Sequence, residues 1–363
     1  MIPPAKPIIG DAERAAVDRV LASGQVAQGP EVAAFEQEFA ALVDGRTCVA
    51  VNSGTSGQHL GLLACGVGPG DEVIVPSFTF AATANSVALT GAKPVFVDIE
   101  PDYFCLDPAA VEAAVTERTK GIMPVHLYGH PANMTALGEI AARHGLAIYE
   151  DAAQAHAASW QGRPVGSFGD FAMFSLYPTK NMTSIEGGMV SCATEEIARM
   201  VRLLRNQGME RQYENEVVGL NNRMTDVHAA VGRVQLGKLA GWTQTRQRNA
   251  AFLDANLTGV VVPPVAPGAV HVYHQYTIRV SGDRDGFRKA LAAEHGVGSG
   301  VYYPIPNHRL PSFRRELDLP ELDLPETERA AGEVISLPVH PSLSQADLDQ
   351  IVHAVNTVAK AGA

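Results

Sequence analysis

Short apolar segments alternate with helical patterns along most of the chain. The apolar segments are rich in valine and isoleucine and are apolar at odd and even positions alike, which is typical of strands buried on both faces of a sheet. Such strands are predicted at 47–52, 71–77, 92–99, 121–129, 146–154, 170–178 and 187–193. Because segments with helical periodicity separate most of them, the pattern predicts an α/β protein with a large, mostly parallel sheet.

The pattern changes after the last of these strands. A helical region is predicted from Glu195 to about Leu257, a segment rich in proline and glycine follows at 260–272, and the remaining residues mix strand and helix patterns. We therefore predict a large α/β domain over residues 1–240 and a smaller C-terminal α+β domain over residues 241–363. Right-handed crossovers place the carboxyl ends of parallel strands at one edge of the sheet, where we expect a ligand site.

Composition narrows the class of protein. The 363 residues are 46% hydrophobic and carry a formal charge of -11, which is typical of a soluble globular protein with one substantial core and a second, smaller one. The acidic excess and the lack of a Lys/Arg block argue against a nucleic-acid partner or an anionic membrane surface. Neither a secretion signal nor an apolar run long enough for a membrane span is recognisable. Four scattered cysteines predict no disulfide framework and no zinc site, so the cytoplasm is the expected compartment.

The segment from Val51 to Leu60 joins a predicted strand to a helix through a Ser-Gly-Thr-Ser turn. Free backbone N–H groups at a helix start, together with the hydroxyls of Thr55 and Ser56, would make a phosphate site. Simple capping of the helix by serine or threonine is the common alternative. This turn is therefore a candidate phosphate site.

Two carboxylates, Glu150 and Asp151, stand at the end of another predicted strand. Neighbouring residues of a strand point to opposite faces, so only one of the two can face a given pocket. A buried carboxylate needs a partner such as a protonated pyridine nitrogen, an arginine or a metal ion. Metal is the weaker interpretation because His156 has no second histidine at a suitable spacing, and we expect no metal site.

Lys180 follows an apolar run, with Ser175 five residues before it. Most lysines are surface groups, so position alone does not make this one functional. A phosphate site, a strand-end carboxylate and a strand-end lysine together would suit pyridoxal 5′-phosphate (PLP). The aldehyde of PLP needs a lysine that can be neutral, its ring nitrogen needs an anion, and its phosphate needs a helix start.

These motifs occur within a longer set that resembles the sugar aminotransferases of the DegT/DnrJ/EryC1/StrS family. Members are PLP enzymes with the aspartate aminotransferase-like fold, called fold type I. The resemblance covers essentially the whole chain and is carried, in order, by QVAQGPEVAAFEQEFA, NSGTSGQHLGL, VIVPSFTFAATANSV, EDAAQAHA, GSFGDFAMFSLYPTKN, EGGMV, LNNRMTDVHAAVGRVQL, YHQYTIRV and VYYPIPNHRLPSF.

The resemblance implies roles around the cofactor ring. Lys180 would bond the aldehyde carbon and then move protons at the substrate carbon. Asp151 would pair with the pyridinium nitrogen, and Gln154 would hydrogen-bond the ring hydroxyl. Phe80 would stack on the ring face.

The resemblance also implies a set of residues around the phosphate and the substrate. Those for the phosphate within one chain are Gly54, Thr55, Ser56 and Ser175. Asn221 would reach the phosphate of the neighbouring subunit, which implies a homodimer with shared active sites. Tyr303 and His308 would lie near the sugar.

The activity implied is transfer of an amino group, with PLP passing through its pyridoxamine phosphate (PMP) form. The donor would be an amino acid, in this family L-glutamate, and the acceptor a nucleotide-linked deoxy-sugar with a ketone at C3 or C4. Two alternatives stay open: an inosose aminotransferase of aminoglycoside assembly, and a non-catalytic PLP-binding regulatory protein. Relatives with histidine in place of the lysine are dehydratases, so Lys180 favours transamination.

Three positions depart from the common family pattern. Asn222 stands where tyrosine is frequent, and Ile185 and Ala157 stand where glycine is frequent. None of them belongs to the expected chemistry.

Overall fold

The structure, a computed structural model, describes residues 1–317 and 319–361. Its strands are β1 Thr47–Val51, β2 Glu72–Pro76, β3 Lys93–Val97, β4 Thr119–Ile122, β5 Ala147–Asp151, β6 Ser159–Trp160, β7 Arg163–Pro164, β8 Phe171–Ser175, β9 Gly188–Cys192, β10 Met209–Arg211, β11 Glu214–Asn215, β12 Ala269–Val270, β13 Tyr276–Arg279 and β14 Val334–Leu337. Its helices are α1 Asp11–Ser23, α2 Pro30–Phe39, α3 Gly54–Ala64, α4 Ala82–Ala88, α5 Pro108–Ala114, α6 Met134–His144, α7 Glu195–Arg205, α8 Asp226–Asn256, α9 Arg284–His295, α10 Pro311–Glu316, α11 Pro325–Glu333 and α12 Gln345–Ala361.

A seven-stranded sheet forms the centre, in the order β1-β9-β8-β5-β4-β2-β3. Pairs from β8 to β3 are parallel, whereas β9 runs antiparallel to both β8 and β1. The predicted α/β class with a mostly parallel sheet is therefore confirmed. Apolar side chains of both faces are buried, as the sequence pattern required for a sheet covered on both sides.

The sheet brings three strand ends together. Since β9 is antiparallel to its two neighbours, β1 and β8 point the same way, and β5 is parallel to β8. The carboxyl ends of β1, β5 and β8 therefore lie at one edge of the sheet. The start of α3, the end of β5 and the loop after β8 meet there.

Two predicted elements differ from the structure. The strand predicted at 121–129 ends at Ile122, because Pro124 lacks an N–H donor and Tyr128 has φ 58° within a short 3-10 turn. The helical region predicted from Glu195 to Leu257 is two helices, α7 and α8, with the hairpin β10–β11 between them.

The C-terminal part mixes strands and helices around its own core. β13 and β14 form an antiparallel pair, and the buried residues of this region make one cluster with the end of α8, α9 and α12. The predicted boundary between residues 240 and 241 lies within α8, which continues through it to Asn256. No helix in the two described ranges is long and apolar enough to cross a membrane.

Ala157 and Ile185 have left-handed backbone conformations, with φ 67° and φ 73°. The left-handed region costs a residue with a Cβ about 1–2 kcal/mol and costs glycine almost nothing. The structure thus gives a physical reason why glycine is favoured at both positions.

We predict that Ala157→Gly stabilises the protein slightly, by about 0.5 kcal/mol, because relief of backbone strain exceeds the added flexibility of the unfolded chain. Urea unfolding midpoints measure the effect. Ala158→Gly is the matched control: Ala158 is buried at 1% exposure and φ there is not positive, so we expect a loss of about 1–2 kcal/mol. Equal destabilisation by both substitutions would contradict the strain at Ala157.

Candidate active site

A cavity of about 460 Å³ opens at the edge of the sheet where β1, β5 and β8 end. It collects most of the residues that the sequence singled out: Gly54, Thr55, Phe80, Asp151, Gln154, Ser175, Lys180 and Tyr303. Three others do not line it, namely Ser56, Asn221 and His308.

One end of the cavity is the start of α3. Ser53 caps this helix, because its Oγ accepts from the N–H of Ser56 at 3.1 Å and lies 2.9 Å from the Ser56 hydroxyl. The first N–H groups of a helix have no acceptor within it, so those of Gly54 and Thr55 remain available to a ligand. A Cβ on Gly54 would lie only 3.1 Å from Cβ of Ser175, so glycine allows α3 to pack against the end of β8. Thr55 and Ser175 therefore flank a helix start suited to an anion.

Asp151 supplies a carboxylate to the floor of the cavity. It is 5% exposed, and its two oxygens accept from the Thr83 hydroxyl at 2.8 Å and from the N–H of Ala153 at 3.1 Å. These bonds fix its orientation. A buried carboxylate held in one orientation is suited to bind a cationic N–H group.

Glu150 points to the opposite face of β5, as the strand alternation predicted. It accepts hydrogen bonds from the N–H groups of Gly166, Phe168 and Gly169 at 2.7–3.0 Å. His126 accepts from the backbone at Nδ1, so its Nε2–H donates to Glu150, 3.2 Å away. Burial acts to raise the pKa of Glu150, but these hydrogen bonds lower it below the ordinary value. Glu150 is thus a structural anion.

Lys180 reaches the cavity from the loop after β8. Burial lowers the pKa of Lys180 to about 8, although the Asp151 carboxylate acts in the opposite direction. Two buried imidazoles are close enough to sense its charge. Burial first and the Lys180 ammonium second lower the pKa of His156 to about 3 and that of His274 well below the ordinary value. Both rings are therefore neutral near pH 7, and Asp151 is the anion that acts on the lysine.

The remaining wall is polar and aromatic. Gln154 Oε1 accepts from the N–H of Tyr128 at 2.7 Å, and its Nε2 donates to the Tyr303 hydroxyl at 2.8 Å. These two hydrogen bonds connect the loop after β5 to Tyr303, which follows Gln154 by 149 residues. Phe80 is 64% exposed and presents its ring to the cavity, a position suited to stacking on a planar ligand.

The three predicted residues outside the cavity have other surroundings. The Ser56 hydroxyl lies beside Ser53. His308 is buried, with Nδ1 2.7 Å from the Ser77 hydroxyl and Nε2 3.0 Å from Glu328, so both ring nitrogens are already engaged. Asn221 is on the surface, away from the cavity of its own chain.

Sequence reasoning missed Thr83, His274 and Gln58, all of which line the cavity. Thr83 lies in the first turn of α4, three residues after Phe80, and this proximity in sequence could have indicated it. His274 is held by Asn181, whose Oδ1 lies 3.3 Å from Nδ1, and Asn181 follows Lys180 in the chain. That contact spans 93 positions and has no local signal.

Comparison with known proteins agrees with this geometry. The model of the DegT/DnrJ/EryC1/StrS aminotransferase family matches residues 7–356. The dTDP-3-amino-3,4,6-trideoxy-alpha-D-glucose transaminase of Streptomyces venezuelae is 44% identical, over 94% of this chain and 90% of its own length. A pleiotropic regulatory protein of Geobacillus stearothermophilus is 43% identical, over 93% of this chain and 92% of its own.

Among solved structures, S. venezuelae DesV in complex with a ketimine intermediate superimposes with a TM-score of 0.92 at 44% identity, covering 96% of this chain and 94% of that one. The chain belongs to the DegT/DnrJ/EryC1/StrS aminotransferase family. The aminotransferase is a PLP-dependent enzyme of fold type I, as expected from the sequence.

The residues present fit PLP. The α3 start with Thr55 and Ser175 suits the phosphate, Asp151 suits the ring nitrogen, and Phe80 offers a face for the ring. Gln154 has a second amide hydrogen left beyond the one given to Tyr303. Lys180 lines the same cavity, so its amine is suited to the aldehyde.

The lowered pKa of Lys180 predicts how the cofactor-free aminotransferase takes up PLP. A neutral amine is needed, so the rate should rise with pH and level off above about pH 8, whereas an ordinary lysine levels off only above about pH 10. Stopped-flow absorbance from pH 6 to 10 measures it, with N-acetyl-lysine methylamide as control.

The variant Asp151→Asn sharpens the sign of that prediction. Asp151 raises the pKa of Lys180, so its loss should move the plateau to lower pH. A plateau shifted upward, or a wild-type rate still rising beyond pH 9.5, would contradict the assignment.

Proposed function

We propose that this aminotransferase moves an amino group from L-glutamate to the ketone of a nucleotide-linked deoxy-sugar. The observation that carries the proposal is one cavity in which Lys180, Asp151 and the start of α3 converge. The transaminase of S. venezuelae, which by its name acts on a dTDP-linked aminodeoxy-sugar, supports the class of acceptor. The size of the cavity, about 460 Å³, leaves room for a sugar ring beside a cofactor.

Lys180 is suited to moving protons. With a pKa of about 8, its neutral and charged forms are both populated near neutral pH, which is the range in which a general base and acid is most effective. As an amine it would take a proton from the substrate carbon, and as an ammonium group it would return one to the carbon on the other side of the amino nitrogen, a 1,3 shift. When bound, PLP withdraws electrons from that carbon and stores the amino group between the two half-reactions.

The other residues set the electrostatics and orientation around that lysine. Asp151, fixed by Thr83 and Ala153, favours a protonated ring nitrogen, which maintains electron withdrawal. Phe80 and the α3 start hold the ring and phosphate, so the reacting carbon remains within reach of Lys180.

We also propose a homodimer in which each site uses Asn221 of the other subunit, in a reducing compartment such as the cytoplasm. Asn221 lies on the surface and is free to contact a second chain. Large apolar side chains are exposed on the lysine loop and near Asn221, among them Tyr177, Ile185 and Leu220. Exposed apolar residues around a site are typical of an interface. The four cysteines are free, which suits a reducing compartment.

The first test uses glutamate alone. When glutamate is added to wild-type protein with PLP, the cofactor should pass to its PMP form, as followed by the absorbance spectrum. After addition of a nucleotide keto-sugar, the PMP form of the protein should aminate that sugar. Lys180→Ala should slow both half-reactions by about 100- to 10,000-fold, the usual contribution of a general base. Lys289→Ala, at an exposed lysine of α9, is the control and should keep wild-type rates.

Two results would contradict the proposed function. Turnover of Lys180→Ala at the wild-type rate would exclude the lysine assignment. Binding of PLP without any conversion by amino donors would instead favour the regulatory alternative. A panel of keto-sugar nucleotides and inososes then separates the two acceptor classes.

Hybrid dimers test the shared site. Asn221→Asp places a carboxylate against the phosphate and should impair binding, and Lys180→Ala removes the base. In a purified hybrid of these two chains, one of the two sites has both native residues, so we expect about half of the wild-type activity per dimer. A hybrid no more active than its parents would exclude Asn221 as a shared residue.

A further inference from the structure

Gln58 is a buried amide without a partner. It lies in the second turn of α3, is 1% exposed and lines the cavity. Neither Oε1 nor Nε2 has a hydrogen-bond partner in the part of the chain that the structure describes.

Gln58 differs in this respect from two other buried glutamines of the chain. Gln154 has both amide atoms bonded, and Gln235, also 1% exposed, donates to the carbonyl of Ile8 at 2.8 Å and to Glu13. A buried polar group without a partner costs about 1–3 kcal/mol. A leucine at position 58 would fill similar space without that cost, so the amide is suited to a partner other than the described residues of its own chain.

The direction of the side chain indicates where that partner lies. Side chains of a helix lean towards its N-terminus, and Gln58 follows Gly54 by four residues on the same face. We therefore expect its amide to extend along the cavity wall towards the first turn of α3. That turn carries the available N–H groups of Gly54 and Thr55, which attract an anion.

We propose that Gln58 is a further cofactor-binding residue whose Nε2–H donates to the phosphate held at the start of α3. Its Oε1 then accepts a hydrogen bond from a water molecule or a hydroxyl group in the cavity. The cavity is large enough for a phosphate and a water molecule together. The inference rests on the PLP chemistry of the proposed function. Its consequence is greatest for PMP, because PMP has no bond to Lys180 and is retained by non-covalent contacts alone.

The test measures binding rather than turnover. Equilibrium dialysis gives the affinity of the cofactor-free protein for three probes: PMP, inorganic phosphate, and pyridoxamine, which lacks the phosphate. A hydrogen bond to a charged group contributes about 1.5–3 kcal/mol, so the substitution Gln58→Leu should lower the affinity for PMP about 10- to 100-fold. The affinity for inorganic phosphate should fall in parallel, and the affinity for pyridoxamine should be unchanged.

Thermal unfolding of the cofactor-free protein supplies an independent readout. Gln58→Leu should unfold at the same or a higher temperature than wild type, because two unpartnered polar atoms leave the interior. Gln58→Glu keeps the shape but brings a negative charge to the phosphate, so it should bind PMP more weakly than Gln58→Leu. Gln345→Leu, at an exposed glutamine of α12, is the control and should match wild type throughout.

Several outcomes would overturn the inference. Unchanged affinity of Gln58→Leu and Gln58→Glu for PMP would show that the amide contacts no cofactor. Equal losses for PMP and pyridoxamine would place the contact away from the phosphate. A cofactor-free Gln58→Leu protein less stable than wild type, with unchanged PMP binding, would make Gln58 a structural residue. Each of these leaves transamination by the wild-type enzyme intact, whereas a wild-type protein that binds no PMP would refute the proposed function as well.

Discussion

The shared direction of β1, β5 and β8 is the constraint on which the active site depends. Each strand has five residues and so spans about 16 Å, at about 3.3 Å per residue. Reversal of any one would move its contribution to the other edge of the sheet, beyond the reach of any side chain. The antiparallel strand β9 makes this arrangement possible, because it separates β1 from β8 without changing their common direction.

The charges and pKa values of the residues at these strand ends then determine what the cavity can bind. The protein is acidic overall, with a formal charge of -11, yet Asp151 is the carboxylate that acts on the pKa of Lys180, and two nearby imidazoles are neutral. Burial favours the neutral amine, and Asp151 restrains that shift. The balance leaves a lysine with a pKa of about 8 and, in the same cavity, a carboxylate suited to a cofactor ring.

The sequence predicted what local pattern controls. Six of the seven strands of the main sheet were located within three residues at each end, and the positions of Asp151 at the end of β5 and of Lys180 in the loop after β8 followed from them. The hairpin between α7 and α8 was missed because its two strands are short, polar and largely exposed, so they have no apolar pattern of a strand.

Side-chain partners were the least predictable part of the site. Tyr303 and His308 are close in sequence, yet only Tyr303 lines the cavity, since His308 is engaged by Ser77 and Glu328. Gln58 sits in a motif that the sequence did single out, but its missing partners are visible only when the surrounding atoms are placed.

The strand order also bears on how the chain is made by the ribosome. β1 is an edge strand whose neighbour in the sheet is β9, so it stays unpaired until residues 188–192 have been synthesised. An apolar strand with an open edge is prone to pair with other chains. The loop that follows β1 cannot take its place beside Asp151 and Ser175 before then. The nascent enzyme therefore cannot fix this turn until about half of its 363 residues have been synthesised, and we expect a chaperone to help most in the interval before then.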